Sequence, residues 1–108
     1  MAEEHEQQTD VAIHALSYTD DDRDADALVA MYIEPHPSKP GVANYRLREN
    51  AGGYPIWAII GDLAPGILTP AQVAREFHIS RAALDAALVF YLRHQDIIDA
   101  RIVANRMG

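Results

Sequence analysis

The C-terminal half of the chain has apolar residues at helical spacing, separated by short stops. Trp57, Ile60 and Leu63 recur every three residues and therefore share one face of a helix. The pair Pro65-Gly66 ends this segment, since proline and glycine both interrupt helices. The pattern predicts a short helix that starts at Trp57 and buries its tryptophan face.

A second helix start follows at the sequence TPAQ. Thr69 is suited to cap the free amides, Pro70 to occupy the first helical position, and Gln72 to complete a capping box. The inner face of this helix is predicted to carry three apolar residues: Val73, Ala74 and Phe77.

A tight turn at His78 and Ile79 leads to a third helix, for which Ser80 is the predicted cap. Its inward positions are predicted to be Leu84, Ala87, Leu88 and Tyr91. Two helices joined by such a turn match a helix-turn-helix pattern. Histidine stands where the turn usually has glycine, and it visits the left-handed region more often than most residues.

Residues 95–106 have helical composition and contain no helix breaker. Either the preceding helix runs on, or Asp96 caps a separate helix; we favour the second interpretation. Four branched residues spread around more than one face of this segment: Ile97, Ile98, Ile102 and Val103. We therefore expect one face to pack on the core and another to contact a second chain, which predicts a homodimer.

The N-terminal half predicts one more helix, over residues 23–33. The sequence TDDDRDAD is typical of a helix start, because aspartates cap free amides and are stabilised by the helix dipole, and Pro35 ends the segment. The alternative, a divalent-cation site, is disfavoured because the cluster lacks the spaced ligands and central glycine of a calcium loop.

A short β-ribbon is predicted between this helix and Trp57. Residues 44–48 alternate like a strand, residues 50–53 resemble a hairpin turn, and residues 54–57 form the predicted return strand. Pro55 confines that return strand to a sheet edge or a bulge.

The 108 residues, of 12.0 kDa, suit one domain. Residues 1–9 are expected to be a disordered lead-in, residues 10–57 the N-terminal helix and β-ribbon, and residues 57–108 the helix-turn-helix core. The secondary structure of residues 10–18 is left open between a strand and a helix. The predicted fold class is mainly α, with a short two-stranded β-element and an extra N-terminal helix. One core is predicted from Trp57, Ile60, Leu63, Val73, Phe77, Leu84, Leu88 and Tyr91.

Charge divides the chain unevenly. Residues 1–34 carry ten acidic residues and one arginine, whereas residues 35–108 carry eight basic and six acidic residues. The net charge of −7 therefore originates in the N-terminal third. Such a segment repels phosphate and suits a basic protein partner, or else serves only as a solvated arm that keeps the protein soluble.

The residue inventory points away from catalysis. Without cysteine there is no disulfide, thiol nucleophile or cysteine-type zinc site, and the five histidines include no i, i+4 pair joined by a carboxylate. No serine lies in a nucleophile motif. We expect no enzymatic activity, no metal and no cofactor. The acidic N-terminus and the absence of a long apolar run predict a cytoplasmic protein with no membrane segment.

The predicted recognition helix is poorly equipped for reading DNA. Its outward positions are Arg81, Ala82, Asp85, Ala86 and Val89, which include one useful arginine and one acid. The candidate DNA-facing residues are Arg75, Arg81 and Arg93. Because affinity for DNA comes largely from neutralising phosphates, we expect nucleic-acid binding to be weak or to require a complex.

Four stretches between about residues 53 and 98 carry a family resemblance: GYPIWAII, GILTPAQVAREF, HIS and AALVFYLRHQDIID. They resemble domain-of-unknown-function family 433, small antitoxin-like proteins of bacterial type II toxin–antitoxin loci. The resemblance implies a homeodomain-like helical core with a small β-element, no cofactor and no catalysis. It also implies a protein partner that resembles a PIN-like ribonuclease toxin, with operator binding by the complex.

Two functional hypotheses follow. The first is a protein-binding antitoxin that neutralises a PIN-like nuclease toxin; the alternative is a DNA-binding transcriptional regulator or an interaction protein of unknown role. The candidate partner-facing residues are Asp20, Asp21, Asp22, Asp24, Ile97, Ile98 and Ile102. The remaining residues singled out have structural roles: Trp57, Thr69, Pro70, Phe77, Ser80, Leu84, Leu88 and Tyr91.

Overall fold

Five α-helices make up most of residues 19–107, the part of the chain that the computed structural model describes. The helices are α1 (Thr19–Tyr32), α2 (Ile56–Leu63), α3 (Pro70–Phe77), α4 (Arg81–Arg93) and α5 (Gln95–Met107). A short two-stranded antiparallel sheet accompanies them, so the predicted mainly α fold class is confirmed. The predicted lead-in at residues 1–9 and the open assignment of residues 10–18 lie outside the described residues.

The helix boundaries agree closely with the sequence pattern in the C-terminal half. The prediction of a separate last helix is confirmed, because the backbone of His94 leaves the helical region (φ −134°, ψ 39°) between α4 and α5. The prediction that Asp96 caps it is wrong, since the helix already begins at Gln95 and Asp96 lies in its first turn. In the N-terminal half, α1 begins at Thr19, four residues before the predicted start, and ends at Tyr32.

The sheet joins the residues that follow α1 to the middle of the chain. Strand β1 (Ile33–Glu34) pairs with strand β2 (Arg46–Leu47), with Ile33 opposite Leu47 and Glu34 opposite Arg46. The latter pair also forms an ion pair, at 2.8 Å between Arg46 Nη2 and Glu34 Oε2. This pairing fixes the end of α1 against the helical core.

The prediction that residues 54–57 form the partner strand of the ribbon is wrong. Pro55 makes only an isolated bridge to Arg46, on the edge of β2 that does not pair with β1, and α2 already begins at Ile56. Proline has no amide hydrogen to donate, so a regular ladder cannot continue through this position. The Leu47 amide still donates to the carbonyl oxygen of Tyr54, at 2.9 Å, so the chain does turn back beside β2.

Local sequence chemistry determines the helix-turn-helix connection between α3 and α4. Thr69 and Gln72 form the predicted capping box, with the Gln72 amide donating to Thr69 Oγ1 at 3.1 Å and the Thr69 amide donating to Gln72 Oε1 at 2.8 Å. Ser80 Oγ accepts from the Ala83 amide at 3.0 Å and caps α4. His78 adopts the left-handed conformation (φ 56°, ψ 45°) that ends α3.

Replacement of His78 with glycine is expected to stabilise the protein by about 0.5–1 kcal/mol, because glycine adopts this backbone conformation without steric cost. His78→Val should instead destabilise the protein, since a β-branched residue is strained there. Urea denaturation of the two variants checks the prediction. A glycine variant less stable than the wild type would contradict it.

The core lies where α2, α3, α4 and α5 meet, with β1 and β2 covering one side. Its fully buried side chains come from β2 and these four helices, including Leu47, Ile56, Ile59, Val73, Leu84 and Ile98. Of the predicted core residues, Ile60, Val73 and Leu84 are buried. The other five pack against this core while partly exposed: Trp57, Leu63, Phe77, Leu88 and Tyr91.

Candidate interaction surfaces

Helix α1 covers one side of α4, and this is the most extensive contact between two elements of the described chain. Ala25 of α1 is buried. Its neighbour Asp26 forms an ion pair with Arg93 of α4, at 2.7 Å between Asp26 Oδ1 and Arg93 Nη1. The end of α1 is held as well, because Arg48 Nη2 donates to the carbonyl oxygen of Ala30 at 3.1 Å. The acidic helix therefore packs onto the second helix of the helix-turn-helix unit.

Helix α1 lies along one flank of the outward side of α4, the side that a DNA-binding protein turns to the groove, while the side chains of Arg81 and Asp85 on that side stay accessible to solvent. Ala82, Ala86, Val89 and Arg93 follow one another at intervals of four, three and four residues and therefore share one face. Ala86 was predicted to point outward, but it is 0% exposed. That prediction is wrong because small side chains at these positions form a packing surface rather than a solvated one.

The three candidate DNA-facing arginines do not form one basic surface. Arg93 is held by Asp26 of α1, and Arg81 Nε donates to Asp85 Oδ1 at 3.1 Å on α4 itself. Arg75 is exposed on α3. Since two of the three positive charges face a carboxylate at contact distance, the positive potential available to attract phosphate is reduced.

The predicted acidic partner-facing residues lie on α1. Asp24 is exposed and Asp22 is half-buried. The backbone of Asp20 and Asp21 lies in the first turns of α1, whereas their side chains lie outside the described residues. Together with Asp26, this helix adds negative charge beside the covered face of α4, which disfavours approach of a phosphate backbone.

The predicted partner-facing isoleucines are divided between the two sides of α5. Ile98 and Ile102 are buried in the core, so their assignment to a partner surface is wrong. Ile97 is 46% exposed on the opposite side, as a partner-facing residue must be. The cause is the helical period: residues four apart at 98 and 102 share the face that packs on α2, and Ile97 is rotated away from it.

Polar groups with possible chemical roles make ordinary structural contacts. Tyr91 Oη donates to Asp99 Oδ1 at 2.8 Å and links α4 to α5; this hydrogen bond, with desolvation, raises the pKa of the Tyr91 phenol above its usual value of 10.0. His36 Nδ1 accepts from the amides of Ser38 and Lys39 in the proline-rich connection after β1.

Over residues 19–107, histidine and acidic side chains do not form any group of three or more that could bind a metal ion. None of the helices in the same range has the length and apolar character required to cross a membrane.

Comparison with known proteins gives no relative: no family model, curated protein or solved structure matches the chain. The resemblance to domain-of-unknown-function family 433 therefore stays a prediction, and the structural argument rests on the chain's own contacts.

The covered face of α4 was missed from the sequence, although a signal for it was present. Ala82, Ala86 and Val89 are small and apolar at positions where a DNA-reading helix has polar side chains. Small residues at helical spacing on an otherwise outward face are typical of a helix that receives another helix.

Proposed function

We propose that the protein is a non-catalytic protein-binding module, the antitoxin of a bacterial type II pair that neutralises a PIN-like nuclease toxin in the cytoplasm. The observation that carries this proposal is the position of α1 on the face of α4 that contains Ala86 and Arg93. A helix-turn-helix protein that reads DNA needs that face open to the major groove. Here an acidic helix of the same chain occupies the flank of that face that carries Arg93, and the side chains of Arg81 and Asp85 beside it stay accessible to solvent.

The energetics favour a protein partner over DNA. Opening the covered face would expose the apolar side chains of α1 that pack on the core, including Leu28, Val29 and Tyr32, and would separate Arg93 from Asp26. The face uncovered in this way would offer Ala82, Ala86 and Val89 to the bases, and none of these side chains can form a hydrogen bond. DNA would therefore recover little of the free energy lost by displacing α1.

The charge distribution favours a basic partner. Asp24 and Asp26 of α1 are exposed beside the covered face, and Asp22 is half-buried. A nuclease toxin needs a positive surface to bind RNA, and an acidic protein competes for that surface through the same electrostatic attraction. This complementarity supports a basic protein partner, the class of partner that the family resemblance implies.

The alternative function, a DNA-binding transcriptional regulator, rests on the helix-turn-helix connection itself. The capping box at Thr69, the left-handed turn at His78 and the cap at Ser80 give α3 and α4 the arrangement that such regulators use. Arg75 and Arg81 are then the contacts to phosphate or base. In this alternative, α1 must move away before α4 reaches the groove.

The proposal is tested by expressing the protein encoded beside this one in its genome, alone and together with the chain. We expect the neighbouring protein to be small and basic, to stop growth and degrade RNA when expressed alone, and to be harmless and bound in a stable complex when both are present. A neighbour without ribonuclease activity, or one whose toxicity is unaffected by this chain, would overturn the proposal.

The acidic surface of α1 is expected to accelerate association with that partner. The double substitution Asp22→Asn with Asp24→Asn should lower the association rate constant about tenfold at low salt, with a smaller difference at high salt, because steering by surface charge is screened. The dissociation rate constant should change little. Stopped-flow or surface-based kinetics at several salt concentrations measures both.

The matched control removes the same charge elsewhere, through Asp62→Asn with Glu76→Gln, two exposed acids on α2 and α3. We expect this variant to associate at nearly the rate of the wild type. Equal rates for the two double variants would show that net charge, and not the position of the acids on α1, governs association.

A further inference from the structure

The outward face of α5 is apolar along its length, although it faces solvent. Ile97 is 46% exposed, Val103 51% and Met107 81%. Ala100 and Ala104 are exposed between them. The opposite face, with Ile98 and Ile102, is already buried in the core. Helix α5 therefore has two apolar faces, of which the fold uses one.

The exposed face has the spacing of a coiled-coil seam. Ile97, Ala100, Ala104 and Met107 follow one another at intervals of three, four and three residues, which assigns them to positions a, d, a and d of a heptad. The core-facing Ile98 and Ile102 then fall at positions b and f, on the far side of the helix. A seam at a and d is the pattern by which one helix packs along another.

The charges beside this seam complement those of an identical helix. In the same heptad, Asp96 occupies position g and Arg101 the following position e. In a parallel pair of helices, position g of one chain lies next to position e of the other, five residues on. Asp96 of one copy therefore meets Arg101 of the other, twice, by symmetry. Arg101 lies at the edge between the seam and the core-facing side, and its guanidinium is 4.4 Å from the centre of the Trp57 ring of α2.

We propose that the protein forms a two-fold symmetric homodimer in which α5 packs in parallel register against α5 of a second copy, through Ile97, Ala100, Ala104 and Met107. This surface belongs to α5 and the acidic residues belong to α1, so the dimer is proposed independently of the neutralisation of a toxin. A dimer of this kind presents two acidic α1 helices to partners at once.

Several features favour a second copy of the chain over another occupant. A two-fold interface must be complementary to itself, and the Asp96–Arg101 pairing meets this requirement without a second surface. Alanine at two of the four seam positions allows the helices to approach closely. Leu92, 50% exposed beside Ile97 at the junction of α4 and α5, extends the apolar surface past the start of the helix.

The length of the seam sets the strength of the dimer. From Ile97 to Met107 the seam covers 11 residues, or about 16 Å at 1.5 Å per residue. A seam of this length is shorter than the coiled coils that are stable by themselves, so we expect association in the micromolar range. The dimer should be visible at roughly 100 μM and largely dissociated at roughly 0.1 μM.

Disulfide cross-linking tests the register directly, because the full-length chain contains no cysteine. With Ala100→Cys, the introduced side chains face each other at a d position across the dimer axis, within the range that a disulfide requires. We expect rapid formation of a covalent dimer under mild oxidation. Ala71→Cys, at an exposed alanine on α3, is the matched control and should remain monomeric. Equal cross-linking of the two variants would overturn the proposed register.

Sedimentation equilibrium of the full chain measures the affinity of the dimer and provides a second test of the proposed interface. The wild type is expected to change from 12.0 kDa to twice that mass with increasing concentration. Ala104→Glu should weaken dimerisation at least tenfold, because it places two like charges opposite each other at an a position. Ala71→Glu, which adds the same charge outside the seam, should dimerise as the wild type does.

Circular dichroism of each variant establishes that the helices are retained. A wild-type chain that stays at 12.0 kDa at every concentration overturns the dimer. Unchanged dimerisation of a folded Ala104→Glu variant overturns the assignment of this face. Neither result bears on toxin neutralisation, which is measured separately with the partner protein.

Discussion

Replacement of Ala86 with glutamate is expected to lower the free energy of unfolding by about 3 kcal/mol or more and to release α1 from α4. Ala86 is 0% exposed and lies seven residues before Arg93, on the same face of α4 as the contact of Arg93 with Asp26 of α1. A carboxylate at this position must either be buried without a partner or force the two helices apart. The second outcome costs less where α1 alone can separate, so α1 should detach before the core unfolds.

Two measurements test the effect of Ala86→Glu. Urea denaturation gives the loss in stability, and limited proteolysis or hydrogen exchange shows whether the loss is concentrated in α1. Ala71→Glu provides the matched control, since it introduces the same side chain at an exposed alanine of α3 and should change stability by less than about 0.5 kcal/mol. If the two variants unfold at the same urea concentration, the contact between α1 and α4 is not as described.

A graded loss of stability is expected along α4 when its leucines are truncated one at a time. Leu84→Ala should cost about 2–5 kcal/mol, because this side chain is fully buried in the hydrophobic core and its truncation leaves a cavity. Leu88→Ala should cost less, since Leu88 is only partly buried at the edge of the core. Leu92→Ala should have the smallest effect on the monomer.

The comparison is internally controlled because the same atoms are removed from the same helix in each variant. Fluorescence of Trp57, the single tryptophan of the chain, reports unfolding in denaturant. The order Leu84, Leu88, Leu92 is the expected ranking. A loss at Leu92 as large as that at Leu84 would contradict the burial of α4, provided that the measurement is made at concentrations below those at which the chain dimerises.

Local sequence chemistry predicted the elements whose boundaries depend on near neighbours. The capping box at Thr69, the cap at Ser80 and the left-handed turn at His78 all involve contacts within a few residues, so their residue types suffice to predict them. A break before the last helix was predicted on similar grounds, although it falls at His94 and Asp96 is not the cap. These features account for the helix-turn-helix unit.

Pairings between segments that are distant in sequence could not be predicted in the same way. Strand β1 has two residues, too few for any periodicity, and its pairing with β2 depends on where α1 packs. The return strand was predicted at residues 54–57 because a hairpin pairs two segments that are close in sequence. Strand β1 and Pro55 lie on opposite edges of β2, and the ladder forms with β1 because proline at residue 55 interrupts the pairing on the other edge.

The candidate interaction surfaces could also be predicted only in part from the sequence. The helical period alone indicated that α5 has more than one apolar face, but it did not identify the buried one. Ile98 and Ile102 fill the core because α5 packs on α2, and this contact is set by the whole arrangement of helices. The acidity of α1 was visible from composition, whereas its position over Ala86 required the structure.

The central claim is that the α4 face covered by α1 serves the fold and leaves this chain without a DNA-reading surface of its own. Fluorescence anisotropy of the isolated, full-length chain with its own upstream DNA tests that claim most directly, when compared with unrelated DNA of the same length at two salt concentrations. We predict binding no tighter than about 10 μM at physiological salt, equal for the two DNAs. Binding of the upstream DNA at nanomolar concentration, with strong preference over the unrelated sequence and strong dependence on salt, would contradict the claim.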